Sequence, residues 1–229
     1  MFFFISVPNF LVVTSGYDDS GRLSQTETLS FGNNSDSPIY PDHPRRIDGA
    51  TGGFLHHDFI TCGGNVLDEG FTNKCFKLGS EEPFATMMTK RVYFASVVLE
   101  PGKLWILGGS DGSILSSTEF IFSDGRNEEG PSMPIALWRH AIVKINGTTS
   151  LLVGGYTGSA YSQKSWYYEG NWNYGPNLKK ARSIKSGGII RDQVTNQIYI
   201  VVAGGGSNYL NDVEILSVTG TAWETGNLL

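Results

Sequence analysis

The 229-residue chain is 40% hydrophobic and 17% charged, with 29 glycines, 9 prolines and a net charge of −5 at pH 7. No basic run is longer than Arg45-Arg46 or Lys179-Lys180, so the chain offers no cationic stripe for a phosphate backbone, and no nucleic-acid partner is expected. No stretch reaches the roughly 20 apolar residues of a spanning helix, and no membrane insertion is expected.

Taken in order, the predicted elements fall into five similar units. The first opens with Phe2–Val7, read as a strand because MFFFISV lacks a basic start and is interrupted by Pro8. A truncated signal-peptide remnant is the alternative. Phe10–Gly16 and Gln25–Phe31 follow, and the polar stretch Gly32–Arg46 closes the unit. The second unit has strands at Gly53–Asp58, Phe59–Gly64, Lys74–Leu78 and Pro83–Met87. The third has Phe94–Leu99, Leu104–Gly109, Thr118–Phe122 and a degenerate fourth strand near Asn127–Met133. The fourth has Ala141–Ile145, Leu151–Gly155, Ser165–Tyr168 and Trp172–Gly175. The fifth has Gly188–Arg191, Gln197–Gly204, Asp212–Ser217 and Ala222–Thr225. Such β-branched and aromatic runs, split by Gly, Asn, Ser and Asp, are strand signals, and no window sustains a helical period.

The second strand of each unit carries one recurring pattern: FLVVTSGY, FITCGGN, KLWILGGS, SLLVGGY and IYIVVAGGG. The second small residues, Gly16, Gly64, Gly109, Gly155 and Gly205, are 48, 45, 46 and 50 residues apart. A period of this size marks an array of identical supersecondary units. Four short antiparallel strands cannot bury both faces alone, whereas radial stacking lets neighbours cover them. The expected fold is therefore all-β, a β-propeller of about five blades forming a single domain. The blades are cut at residues 1–46, 47–91, 92–139, 140–182 and 183–229. Paired glycines suit the crowded, sharply turned end of the second strand. GGS at Gly108–Ser110 lacks the Lys-Ser/Thr and the helix of a phosphate loop.

The apolar run ending in Gly-Gly resembles the kelch repeat, which adds a Glu on the third strand, a Trp on the fourth and an Arg at the start of the next blade. Glu27, Glu119 and Glu214 match the first of these, Trp172 and Trp223 the second, and Arg46, Arg91, Arg139 and Arg182 the third. Departures are Ser15 for the first Gly of blade one, Phe84 for Trp in blade two, and no aromatic there in blade three. Kelch propellers commonly have more blades than five, so the reading is a five-bladed or open propeller, or an incomplete one from a longer chain. The resemblance implies a protein-interaction module that grips a peptide or protein on one face. No BTB-like helical region precedes the repeats in this sequence, which weakens the expectation of the ubiquitin-ligase-adaptor role that many kelch relatives have.

Catalysis finds little footing. Of the histidines, His43, His56, His57 and His140, the pair His56-His57 is placed on a strand, where adjacent side chains face opposite sides and only one could serve a metal. No metal, no cofactor and no enzyme activity are expected; the copper ligands and Tyr–Cys pair of the resembling propeller oxidases have no counterpart. The alternatives are a galactose-oxidase-like propeller enzyme acting on a small molecule or sugar, and a cytosolic scaffold lacking its other domains. Cys62 and Cys75 fall on neighbouring antiparallel strands, within reach of a disulfide, with two buried free thiols as the alternative. Cys75, 11 residues after Gly64, takes the Glu position by spacing. Asn33 and Asn146 head Asn-X-Ser/Thr triplets in polar turns. Cysteines and triplets together point to an extracellular or lumenal setting, with the cytoplasm as the alternative. Loops after the second strands share a face with the blade starts. That face gathers the expected contact residues Tyr17, Arg46, Arg91, Asp111, Arg139, His140, Tyr156, Arg182 and Tyr209 of a monomer. Replacing Arg139 or Arg182 with Ala is expected to disturb binding more than stability. The alternative for the arginines is bracing of the inter-blade turn through carbonyls or a nearby acid.

Overall fold

The computed structural model describes residues 3–7, 10–30, 39–184, 186–206 and 210–226. Among these residues the secondary structure is all strand, with no helix, and therefore no helix long and apolar enough to cross a membrane. The fold is that of a five-bladed β-propeller. The chain forms two compact units, Met1–Ser132 with three blades and Met133–Leu229 with two.

In the first unit, β1 (Phe3–Val7), β2 (Phe10–Asp18) and β3 (Gly21–Ser30) form a meander. The sequence ends the second strand at Gly16, but the hairpin continues past a bulge to pair Tyr17 with Arg22. Short strands extend this sheet: β4 (Ile47–Asp48) pairs with β3 and with β7 (Asn65–Val66), which pairs with β8 (Gly70–Phe71). A six-stranded sheet thus replaces the expected four-stranded first blade. Much of Gly32–Arg46 lies outside the described residues.

Blade two contains β5 (Thr51–Leu55), β6 (Asp58–Cys62), β9 (Lys74–Lys77) and β10 (Pro83–Thr86). Blade three contains β11 (Ala95–Glu100), β12 (Lys103–Leu107), β13 (Thr118–Phe122) and β14 (Asn127–Gly130). In the second unit, blade four is β15 (Ala141–Lys144), β16 (Ser150–Val153), β17 (Ser165–Tyr168) and β18 (Trp172–Tyr174). Blade five is β19 (Ser186–Arg191), β20 (Ile198–Ala203), β21 (Val213–Ser217) and β22 (Glu224–Gly226). All four are antiparallel; in blades three to five neighbours in space are neighbours in sequence, while in blade two β6 pairs with β9 and the chain between them contributes β7 and β8 to the first sheet.

The second strands of blades two to four are buried on both faces because both are covered, whereas β20 alternates buried with half-buried residues. Leu104, Trp105, Ile106 and Leu107 of β12 are each 0% exposed. Such a continuous apolar run marks a strand sandwiched between layers, and each fully buried Leu or Ile contributes about 1.5–3 kcal/mol. Leu55, Ile60, Leu104, Ile106 and Ile121 form one core between blades two and three. Leu151, Val153, Ile200, Val202, Leu216 and Trp223 form another between blades four and five. Trp223, the expected fourth-strand Trp, is 1% exposed and its Nε1 donates to Pro176 O at 2.9 Å.

The glycine pairs turn the chain out of each second strand. Gly205 has φ +87°, and a Cβ there would meet Ser183 O at 1.6 Å, so no side chain fits. Blade one reaches the same left-handed conformation without a first glycine: Ser15 has φ 56° and is buried.

Candidate functional site

Hydrogen bonds at these turns fix which residues of the blades are equivalent. Directly after the glycine pair, Asn65, Ser110 and Tyr156 bridge Asp48, Val92 and Trp138 respectively. The residues just before these partners, Ile47, Arg91 and Leu137, therefore share one slot. Arg182 completes the set. Ile184, two residues later, donates its N–H to Arg139 O at 2.7 Å, as Tyr93, two residues after Arg91, donates to Gly49 O at 2.8 Å. The four arginines that the spacing aligns are thus not equivalent. Arg46 precedes the slot by one residue and Arg139 follows it by two.

The slot has a counterpart on the third strand, opposite the residue two before the first glycine. Phe76 faces Thr61, Glu119 faces Ile106, Trp166 faces Leu152 and Glu214 faces Val202. The two positions change together: Ile47 with Phe76, Arg91 with Glu119, Leu137 with Trp166, and Arg182 with Glu214. All eight are at most 3% exposed. A buried charge needs its partner, so the combination is ionic or apolar and never mixed.

Both ionic pairs join an arginine to a third-strand glutamate, through different guanidinium nitrogens, and through Nη1 to the carbonyl of the first glycine. Arg91 Nε donates to Glu119 Oε1 at 2.9 Å, and Nη1 donates to Gly108 O at 2.8 Å and Ser117 O at 2.9 Å. Glu119 Oε2 accepts from the Met88 backbone N–H at 2.6 Å. In blade five, Arg182 Nη2 donates to Glu214 Oε1 at 2.7 Å and Asp212 Oδ1 at 2.8 Å, while Nη1 donates to Gly204 O at 3.2 Å. Glu214 accepts from the N–H groups of Lys179 at 2.6 Å and Lys180 at 3.1 Å. The Lys180 ammonium also bonds Asp212 and, with Arg182, holds its carboxyl below the usual carboxylate range. Arg91 and Arg182 therefore follow the bracing alternative. At 1% and 0% exposure their guanidiniums cannot meet a partner, and the Arg182 expectation reverses: its loss should act on stability. His140 is likewise buried, at 5% exposure, and presents little surface to a partner. It packs against Gly155 as Phe94 packs against Gly109, where added Cβ atoms would lie 2.8 and 2.6 Å from the Cβ of His140 and Phe94.

Spacing also misplaces Cys75, because the Glu slot of blade two is Phe76. Cys75 sits one residue earlier, directly opposite Cys62. The two form a disulfide with Cα atoms 4.0 Å apart. His56 and His57 occupy the exposed two-residue turn between β5 and β6, not a strand, and His56 has φ 52°. Glu27, opposite Val13 at the equivalent register of blade one, is exposed. Asn33 and Tyr209 lie outside the described residues.

Beside the apolar slot of blade two, His43 is 3% exposed and bonds Thr61 Oγ1 through Nε2 at 2.8 Å. Its Nδ1 lies 2.8 Å from Arg45 O and 3.0 Å from the Arg45 N–H. Burial pushes its pKa from 6.5 down to about 4. A depressed folded-state pKa means that the unfolded chain binds the proton first. His43 therefore contributes stability in full above pH 6.5, and loses it as pH falls towards 4, by something on the order of 3 kcal/mol. The melting temperature should fall across this window in the wild type and fall less steeply in His43→Gln. Equal slopes would contradict the assignment.

The surface at the glycine-turn end is richest in blade four. Trp138 and Tyr156 bridge through reciprocal backbone bonds of 3.1 and 2.9 Å. Their ring centroids are 6.1 Å apart, and Tyr161 adds a third ring 5.0 Å from Tyr156. The exposed Arg139 has φ 52°, and its guanidinium carbon lies 5.0 Å from the Trp138 ring centroid. The three rings are half-buried. Arg139 and Tyr156 are the sequence candidates that the structure brings together; Trp138 and Tyr161 are additions. Their signal was present, since Trp138 directly precedes Arg139 and Tyr161 lies in the same loop as Tyr156.

The first unit presents a more polar surface at its own turns. Tyr17 is 57% exposed on the β2–β3 hairpin. Asp48 Oδ1 accepts from Arg22 Nε at 2.7 Å and Oδ2 from Tyr93 OH at 2.6 Å, tying hairpin to blade starts. Arg46, exposed, donates from Nε to Arg22 O at 2.8 Å. Asp111, also exposed, accepts the Ser113 N–H at 3.0 Å.

Fold and surface together define the class, a β-propeller with an aromatic–arginine cluster at its glycine turns. In comparison with known proteins, no protein-family model and no curated protein matches the chain.

Proposed function

We propose that the chain is a kelch-type protein-interaction module, non-catalytic, which receives a protein or peptide on Trp138, Arg139, Tyr156 and Tyr161. The cluster of half-buried rings beside an exposed arginine carries this reading. Trp, Tyr and Arg are the residue types that dominate binding energy at protein interfaces, because each supplies a large area with a polar or charged handle. Arg139, exposed and 5.0 Å from the Trp138 ring centroid, adds a positive charge to the edge of the cluster that favours an acidic partner segment. The Cys62–Cys75 disulfide supports an oxidising compartment, extracellular or lumenal.

Peptides selected from a displayed random library against the folded chain test the reading. Tyr156→Ala and Trp138→Ala should each weaken the selected binders by about 2 kcal/mol, roughly 30-fold. Tyr174→Ala, on the outer strand and 79% exposed, should leave them unchanged. Binders indifferent to both cluster substitutions, with only the melting temperature lowered, would overturn it.

A further inference from the structure

The turn between β15 and β16 lies at the end of blade four opposite the aromatic cluster. β15 runs from Ala141, paired with Val153 beside the glycine turn, to Lys144, paired with Ser150 at the far end. The connecting turn holds Asn146-Gly147-Thr148, and all three residues are exposed. Asn146 Oδ1 accepts from the Thr148 N–H at 2.9 Å, the Thr148 hydroxyl at 3.1 Å and the Thr149 N–H at 2.9 Å. These bonds engage the carboxamide oxygen and the threonine hydroxyl of the triplet. Nδ2, the atom a sugar would modify, takes no part in them. Thr149 in turn donates to Glu169 Oε1 at 2.6 Å, fixing the turn to the end of β17.

From this geometry we infer that Asn146 is an acceptor for an N-linked oligosaccharide, held on the end of blade four away from the partner-binding cluster. The inference rests on the oxidising-compartment reading above. The co-reactant is a lipid-pyrophosphate-linked oligosaccharide presented by a secretory transferase. Nδ2 attacks the anomeric carbon, the new C–N bond forms, and the bond from that carbon to the phosphate oxygen breaks. The lipid pyrophosphate leaves with the bonding electron pair, and the amide proton passes to a base. A glycan placed so leaves Trp138, Arg139, Tyr156 and Tyr161 open.

The test is expression of the full chain behind a secretory leader in eukaryotic cells, with site-resolved peptide mass after peptide-N-glycosidase treatment in heavy-oxygen water. Asn146 should convert to labelled Asp in the wild type and in Thr148→Ser, and the label should be lost in Thr148→Ala. Site resolution separates Asn146 from Asn33. Secreted wild-type chain with Asn146 unmodified would overturn the inference. Thiol alkylation of the same sample reads the other claim independently. Oxidised cysteines with an unmodified Asn146 would defeat the acceptor alone, and free cysteines with a modified Asn146 would defeat the disulfide-based reading alone.

Discussion

Arg182→Leu is expected to destabilise the second unit by about 3–5 kcal/mol, because it leaves Glu214 as a buried, uncompensated carboxylate. Glu214→Trp should cost less, because the guanidinium keeps Asp212 Oδ1 at 2.8 Å when Glu214 is lost. The double variant Arg182→Leu/Glu214→Trp recreates the pair that blade four already uses, Leu137 with Trp166. It should recover most of the loss. A residue of about 1–3 kcal/mol should remain, because the Lys179 and Lys180 N–H groups keep no carboxylate to donate to. Chemical denaturation of the four proteins gives the coupling energy directly. Additive losses would mean that the two positions do not form one interchangeable slot. Arg139→Ala, at an exposed site, should leave the denaturation midpoint near that of the wild type.

Loss of the Cys62–Cys75 bond is expected to be nearly as large. The bridge closes a loop of sequence separation 13, and a loop of that order stabilises by about 3 kcal/mol through the unfolded chain. Both sulfurs also belong to the core between blades two and three. Cys62→Ala/Cys75→Ala should therefore lower the denaturation midpoint markedly, and reductant should bring the wild type down to the variant. A wild type indifferent to reductant under conditions that open the fold would refute the contribution.

The blades were legible because their signal is physical and repeated. Continuous apolar runs such as KLWIL must be covered on both faces, and each ends at glycines whose backbone no other residue easily adopts. Less legible was anything that depends on register. Arg46, Arg91, Arg139 and Arg182 look alike by spacing, yet a shift of one or two residues puts Arg46 and Arg139 in solvent and the others in the core. The sorting cue lay on the third strand, where Glu119 and Glu214 answer Arg91 and Arg182 but Phe76 and Trp166 stand in the other blades. One residue of register likewise separates Cys75 from the Glu slot. His56-His57 reads as strand by its apolar flanks, but a two-residue turn reverses the chain there. The extended β2–β3 hairpin carries no apolar signal past Gly16, because its tip is solvated.

Photo-crosslinking in the protein's native milieu tests the interaction surface most directly. A photoreactive amino acid replacing Ser159, exposed in the loop of Tyr156 and Tyr161, is compared with one replacing Gly147, exposed at the opposite end of the same blade. A discrete crosslinked partner is expected from position 159, lost when Trp138→Ala is added, and none from position 147. The same partner captured from position 147 but not from 159 would contradict it.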